Sequence, residues 1–106
     1  METIKSRQEF ESVFRQGRRF NSKLVRTSVL RDDEGDLGRV AFVAPKRLGN
    51  AVFRNRCKRV LREAARSCEL PRDGFDVILF ATGKTATSTP DEVAQSLRVL
   101  LKKAGA

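Results

Sequence analysis

The chain has 106 residues, and its 22 lysines and arginines outnumber 13 acidic residues to give a formal net charge of +9. The length suits one small domain, expected to span residues 1–106, and the charge favours nucleic acid as partner, with an anionic membrane surface as the rival. The sequence has no histidine, which excludes Ser-His-Asp and Cys-His catalysis, and it has no apolar run of about 18 residues that could cross a membrane.

The first predicted element is a helix over Arg7–Gln16. Ser6 and Glu9 form an S-x-x-E capping box at its start. Phe10 and Phe14 lie four residues apart, so they share one face of the helix. This face is predicted to be apolar and to pack on the rest of the domain.

The residues after the first helix predict two strands and a basic segment that precedes them. Gly17 is typical of the residue just after a helix C-terminus. Residues 24–30 and 39–44 alternate as strands do, and the polar residues 32–36 between them predict a solvated hairpin loop. The acidic side chains of this loop lack the spacing of an EF-hand calcium site. The basic residues 18–23 are predicted to be irregular and partly extended.

The second half of the chain predicts a helix, a strand and a helix. Asn50 can cap a long helix over Ala51–Ser67. The nearly continuous apolar run Phe75–Ala81 is typical of a central strand that is covered on both faces. Thr89 and Glu92 form a second capping box at the start of the last helix. This order of elements indicates an α+β fold with helices packed on a small sheet.

The N-terminal residues lack the apolar stretch of a signal peptide, which predicts a cytoplasmic protein. Cys57 and Cys68 are then expected to be free thiols. On one helix they would be separated by roughly 16 Å, which is too far for a disulfide. Two thiols without any histidine also do not complete an ordinary structural zinc site.

The helix predicted over Ala51–Ser67 separates apolar from basic side chains. At about 100° per residue, one arc holds the apolar residues and another holds the cations. The basic arc contains Arg54, Asn55, Lys58, Arg59, Arg62 and Arg66, and Arg56 lies near its edge. Most charged helix faces are simply solvated, but such faces usually mix signs to form i,i+4 pairs. Here only Glu63 is acidic between residues 46 and 68, and this pattern favours an anion such as RNA as partner.

The run Gly49-Asn50-Ala51-Val52-x-Arg54-Asn55-Arg56-x-Lys58-Arg59-x-x-Arg62-Glu63 resembles the RNR signature of the bacterial ribonuclease P protein family. Phe10-x-x-Val13-Phe14-x-x-Gly17 and Lys46-Arg47 also match the family, and the resemblance covers nearly the whole chain. It implies a two-layer α-β-β-β-α-β-α sandwich, with a small mixed sheet and a left-handed βαβ crossover. It also implies that residues 19–22 form a short first strand.

The resemblance implies two binding sites. The site for the catalytic RNA would contain Lys46, Arg47, Asn50, Arg54, Asn55, Arg56, Lys58, Arg59 and Arg62. A cleft for the single-stranded 5′ leader of precursor tRNA would contain Phe10, Phe14, Thr27 and Ser28. Phe10 and Phe14 could equally be simple core residues. The family often has an aromatic residue on the sheet side of the cleft, but this chain has no Tyr or Trp. Leader stacking is therefore expected to be weaker, or to be supplied by Phe20 or Phe42.

The function implied by the resemblance is that of a non-catalytic subunit of ribonuclease P. The protein would assist a catalytic RNA in removing the 5′ leader, with Mg²⁺ bound mainly by the RNA, and would be monomeric without RNA and need no cofactor of its own. One alternative is a ribosomal or other structural RNA-binding protein. A protein-only nuclease is a second alternative, and the lack of histidine and of clustered carboxylates argues against it.

Overall fold

In the part of the chain that the structure describes, three helices and four strands form the fold, in the order α-β-β-β-α-β-α. The computed structural model describes residues 3–31 and 38–106. The helices are α1 (Arg7–Gln16), α2 (Ala51–Ser67) and α3 (Pro90–Lys103), and the strands are β1 (Arg18–Asn21), β2 (Val25–Arg31), β3 (Arg39–Val43) and β4 (Phe75–Ala81). A single 3₁₀ turn, Lys46–Leu48, precedes α2. The α+β class and the order of elements expected from the sequence are confirmed.

The strands form one mixed sheet in the order β1-β2-β4-β3. β4 is antiparallel to β2 and parallel to β3, so α2 is the crossover between two parallel neighbours. The predicted hairpin between β2 and β3 is therefore wrong, because β4 lies between these two strands in the sheet. The central position of β4 agrees with its nearly continuous apolar sequence, which is typical of a strand covered on both faces. The predicted loop over residues 32–36 itself lies outside the described residues.

The two faces of the sheet are covered by different helices. Val77 and Leu79 of β4 belong to the main core, which the sheet forms with α2 and α3. Since side chains alternate along a strand, Ile78 and Phe80 point to the opposite face. On that face Phe80 contacts Phe14 of α1. The helix α1 thus lies across part of the face that α2 and α3 leave uncovered, and its edge borders an open cleft.

The helices begin where the capping residues predict. Ser6 Oγ accepts a hydrogen bond from the Glu9 backbone N–H at 3.0 Å, and the Glu9 carboxylate pairs with the Arg39 guanidinium of β3. At the start of α3, Thr89 and Glu92 cap each other's backbone N–H groups reciprocally. The capping box is thus complete at α3, whereas Glu9 ties α1 to the sheet.

Gly17 joins α1 to β1 in a different way from the one predicted. Its φ of −71° is extended backbone rather than the left-handed conformation. A Cβ at this position would lie 2.4 Å from the Val13 carbonyl oxygen and 2.7 Å from Ser28 Oγ. Glycine is required here because the end of α1 approaches β2 too closely for any side chain.

The two thiols are buried and unpaired, as predicted. Cys57 belongs to α2, and Cys68 follows its last residue. Burial raises the pKa of both thiols above the usual value for cysteine. None of the helices in the described part of the chain has the length and apolar character needed to span a membrane.

Candidate nucleic-acid interface

The segment before α2 is held in a fixed shape by backbone geometry. Asn50 caps α2, since its side-chain oxygen accepts a hydrogen bond from the Phe53 N–H at 2.9 Å. Gly49 has a φ of 153°, and a Cβ there would lie 3.1 Å from the Phe53 ring. The side chains of Lys46 and Arg47 in the 3₁₀ turn are exposed. The basic turn therefore leads directly into the capped start of α2, with Gly49 packed close to the Phe53 ring.

One row of α2 cations lies along the edge of β3. Arg54 Nε donates to the carbonyl oxygen of Ala44 at 2.9 Å. The Arg62 guanidinium lies 5.6 Å from the centroid of the Phe42 ring. Lys58 lies midway between them at i+4 spacing and is half-buried. We call Arg54, Lys58 and Arg62 the inner row, and the contacts of Arg54 and Arg62 hold these two cations against the sheet before any ligand binds.

The other predicted RNA contacts on α2 project outward. Asn55, Arg56 and Arg59 are exposed, and we call them the outer row. Farther along the helix, Arg66 pairs with Glu63 at 3.0 Å. Within residues 3–31 and 38–106, the ion pairs leave both rows without a carboxylate partner. The charge of both rows is therefore available to an external anion.

A cleft of about 260 Å³ opens between α1 and the top of the sheet. We call it the α1 cleft. Its lining consists of Phe14, Arg19, Asn21, Arg26, Thr27, Pro45, Arg47, Phe80 and Ala81. Three of these residues are arginines, and no described residue of the lining is acidic. An electropositive pocket with aromatic walls is the result, which suits a ligand that has both a negative charge and a flat apolar surface.

The aromatic wall is built from α1 and β4. The Phe80 ring meets the Phe14 ring edge to face, with centroids 5.8 Å apart and an angle of 68° between the planes. The Phe10 ring lies nearly parallel to that of Phe14 at 6.4 Å. Phe14 is 36% exposed, so it is a cleft wall as well as a packing residue. Phe80 was not among the residues predicted for the cleft. In the structure it lies two residues after Ile78 in β4, so strand alternation places both side chains on the α1 face.

Phe20 and Phe42, which were expected to supply the missing aromatic residue, lie on the other face of the sheet. Phe20 pairs across the strands with Thr27, and Thr27 pairs with Leu79 of the main core. Phe42 also packs against that core. The aromatic residue on the sheet side of the α1 cleft is therefore Phe80.

The two sheet residues predicted for the cleft, Thr27 and Ser28, are both buried, and Thr27 alone of the two belongs to the cleft lining. Thr27 is 2% exposed and its hydroxyl donates to the Phe20 carbonyl at 3.3 Å, although the residue still belongs to the cleft lining. Ser28 is fully buried beneath α1 and donates to the Val13 carbonyl at 3.1 Å. The Thr27 hydroxyl thus joins β2 to β1, and the Ser28 hydroxyl joins β2 to α1. The exposed polar side chains on the sheet side are Arg19 and Asn21 of β1 and Arg26 of β2. Arg26 pairs directly with Phe80 in the sheet.

Arg47 connects the two surfaces. It was predicted to contact the catalytic RNA with the α2 cations, and the structure places it in the lining of the α1 cleft beside Pro45. The residues between Ala44 and Asn50 thus carry positive charge from the cleft to the start of α2. One continuous cationic surface results, with an aromatic end and a helical end.

The chain is similar in sequence and in fold to known proteins. The family model described as Ribonuclease P matches residues 1–105. The ribonuclease P protein component of Gluconacetobacter diazotrophicus is 38% identical over 104 residues, covering 96% of this chain and 90% of that protein. That of Symbiobacterium thermophilum is 37% identical over 103 residues, with the same coverage. The structure of the Staphylococcus aureus RNase P protein is 27% identical, covers 98% of this chain and 95% of its own, and has a TM-score of 0.79. The RNase P protein from Thermotoga maritima, at 23% identity, shares the fold with a TM-score of 0.78 over 97% of each chain. The chain belongs to the ribonuclease P protein family.

Proposed function

We propose that the protein binds the catalytic RNA of ribonuclease P through α2 and the turn before it, and that the α1 cleft holds the 5′ leader of precursor tRNA. The observation that carries the proposal is the continuous cationic surface that joins an aromatic cleft to a helix. Its cations have no carboxylate partners among the described residues. Family membership supports the same role, because the relatives are named as components of ribonuclease P.

The two rows on α2 suit the phosphate backbone of a folded RNA. Arginine can grip a phosphate with two parallel hydrogen bonds. Arg54 and Arg62 of the inner row already contact Ala44 and Phe42, so these two cations would lose less side-chain freedom when they bind a phosphate. The outer row is exposed and can adapt to the backbone path. The site for the catalytic RNA therefore comprises Lys46, Asn50, Arg54, Asn55, Arg56, Lys58, Arg59 and Arg62, with Arg47 at its border with the cleft.

The α1 cleft suits a single strand. Unpaired bases stack on aromatic side chains regardless of sequence, and arginines nearby hold the backbone. Phe14 and Phe80 provide the aromatic wall, and Phe10 extends it along α1. A leader that follows this wall would have its phosphates near Arg19 and Arg26. Mature tRNA has no leader, so this contact distinguishes precursor from product.

The protein itself is proposed to be non-catalytic. The described residues contain no cluster of three or more His, Cys, Asp or Glu side chains that could hold a metal ion. This supports the proposal that Mg²⁺, which would stabilise charge during phosphodiester hydrolysis, is held mainly by the RNA. The protein's own contribution is to screen RNA–RNA repulsion and to position the leader. We also propose that it acts in the cytoplasm and is monomeric without RNA, since a charge of +9 opposes self-association.

Reconstitution tests the proposal directly. Rigorously RNA-free protein, the ribonuclease P RNA of the same organism and their complex are each incubated with precursor tRNA and Mg²⁺. Cleavage at the 5′ end of the mature sequence is expected from the complex, and no cleavage is expected from the protein alone. Cleavage by the RNA-free protein would establish a protein-borne active site. A structural RNA-binding protein would instead bind the RNA without any preference of the complex for leader-bearing tRNA.

A further inference from the structure

Arg19 covers the aromatic wall of the α1 cleft. Its guanidinium carbon lies 4.2 Å from the centroid of the Phe14 ring. One of its terminal nitrogens donates to the Phe14 carbonyl oxygen at 3.5 Å. Arg19 pairs with Ser28 in the sheet, which places its side chain on the face that α1 covers. The Phe14 ring that a ligand would approach therefore has a cation on it already.

The distance leaves no room for a base between the guanidinium and the ring. Stacked nucleotides lie about 3.4 Å apart, so an inserted base would need a separation of about 7 Å between its two neighbours. The observed 4.2 Å is little more than half of that. A leader base must therefore either displace Arg19 from Phe14 or stack on its outer side.

We propose that Arg19 is a positioning residue for the leader, with its guanidinium resting on Phe14 and providing the surface on which a leader base stacks. This inference rests on the proposed role of the cleft and names the residue that receives the leader. A planar guanidinium can stack on a base and on a ring at once. By stacking on Arg19 the base keeps the contact between Arg19 and Phe14, which displacement would break. The positive charge of Arg19 also stays close to the leader phosphates.

Arg18 is a natural control for Arg19. It is the preceding residue of the same strand, it is also exposed, and its guanidinium carbon also lies over a phenylalanine, 5.2 Å from the Phe20 centroid. Its sheet partner is Val29 of the main core, so alternation directs Arg18 away from α1. Replacing either arginine removes one charge from β1, but only Arg19 lines the cleft.

The experiment measures how strongly the reconstituted complex prefers leader-bearing to leaderless tRNA. The preference is the dissociation constant for leaderless tRNA divided by that for leader-bearing tRNA. It is measured for the wild-type protein and for Arg19→Lys, Arg19→Ala and Arg18→Ala. We expect Arg19→Lys to reduce the ratio about three- to tenfold, because lysine keeps the charge but has no planar surface on which a base can stack. Arg19→Ala should do the same and also lower the salt dependence of leader binding by about 0.7 in slope, the contribution of one phosphate contact in a single strand. Arg18→Ala should leave the ratio unchanged.

A second measurement separates stacking from a merely structural role. The fluorescence of 2-aminopurine placed in the leader should be quenched by the wild-type complex and less quenched by the Arg19→Lys complex. The thermal unfolding midpoints of the two proteins should agree. An unchanged or higher ratio in Arg19→Ala would overturn the proposal, because it would show that the base displaces Arg19 or does not reach it. A wild-type ratio near one would instead refute the leader-binding role of the whole cleft, and the proposal for Arg19 with it.

Discussion

Replacing Phe80 with leucine should weaken leader binding more than it weakens the fold. Phe80 is half-buried at the end of β4, and its main described aromatic contact is the edge-to-face pair with Phe14 at 5.8 Å. Leucine keeps most of the apolar volume but removes the aromatic pair, which contributes about 0.5–1.5 kcal/mol. A loss of 1 kcal/mol lowers the melting temperature of a domain of this size by roughly 4–8 °C. The variant is therefore expected to fold and to melt a few degrees earlier.

The effect on the leader should be larger. Loss of a base stack on an aromatic side chain costs about 1–3 kcal/mol of binding. Each factor of ten in affinity corresponds to about 1.4 kcal/mol, so the dissociation constant for leader-bearing tRNA should rise about 5- to 150-fold. Mature tRNA does not enter the cleft in the proposed mode, and its affinity should stay constant.

The assay is equilibrium binding of both tRNAs to the reconstituted complex at one salt concentration, with thermal unfolding of the protein alone as a second measurement. Phe20→Leu is the matched control, because it removes the same ring from the opposite face of the sheet. It should change the melting temperature and leave both affinities as they are. Equal losses for the two tRNAs, or the same loss from Phe20→Leu, would refute the assignment of Phe80 to the cleft.

Three further predictions concern Arg54 of α2, Gly17 and the thiol of Cys68. Arg54→Ala should lower the free energy of unfolding in urea by about 1–2 kcal/mol, because its hydrogen bond to the Ala44 carbonyl after β3 is lost. Arg56→Ala should only weaken binding to the catalytic RNA, and identical unfolding curves for the two variants would argue against an anchored Arg54. Gly17→Ala should lower the same free energy by about 1–3 kcal/mol through overpacking, and Gly83→Ala, where a Cβ meets nothing within 4 Å, should not; a stable Gly17→Ala protein would disprove the close approach of α1. Burial raises the pKa of the Cys68 thiol above its usual value of 9.0, so as the pH rises the unfolded chain loses the thiol proton before the folded protein does. The stability of the protein relative to Cys68→Ala should therefore decline as the pH rises above 9.0. A difference in stability that does not depend on pH would contradict this.

The helices could be predicted from the sequence because their boundaries depend on nearby residues. Capping side chains bond to backbone groups within three positions, and the apolar repeat is visible within a few turns. The bounds Arg7–Gln16 and Ala51–Ser67 were predicted correctly for this reason. The cationic face of α2 follows from the same periodicity.

The sheet order could not be predicted in this way, because pairing joins distant residues. Two adjacent strands with a polar loop between them favour a hairpin, and only the three-dimensional structure shows that β4 separates them. The same uncertainty concealed Phe80, since a continuous apolar strand does not reveal which of its side chains face a cleft. The anchoring of Arg54 on Ala44 was hidden too, because a helical wheel contains no information about the neighbouring strand.

The position of β4 in the sheet has a consequence for the synthesis of the protein on the ribosome. β4 follows β2 and β3 in the chain but lies between them in the sheet. A nascent chain that ends before Phe75 can form the β1–β2 hairpin, yet β3 lacks its partner strand and α2 lacks most of the surface that buries its apolar side. Contacts between residues far apart in sequence form late in folding. The cations of α2 therefore acquire their fixed arrangement only after β4 has left the ribosome, and a chain released earlier is a basic peptide without a defined surface for RNA.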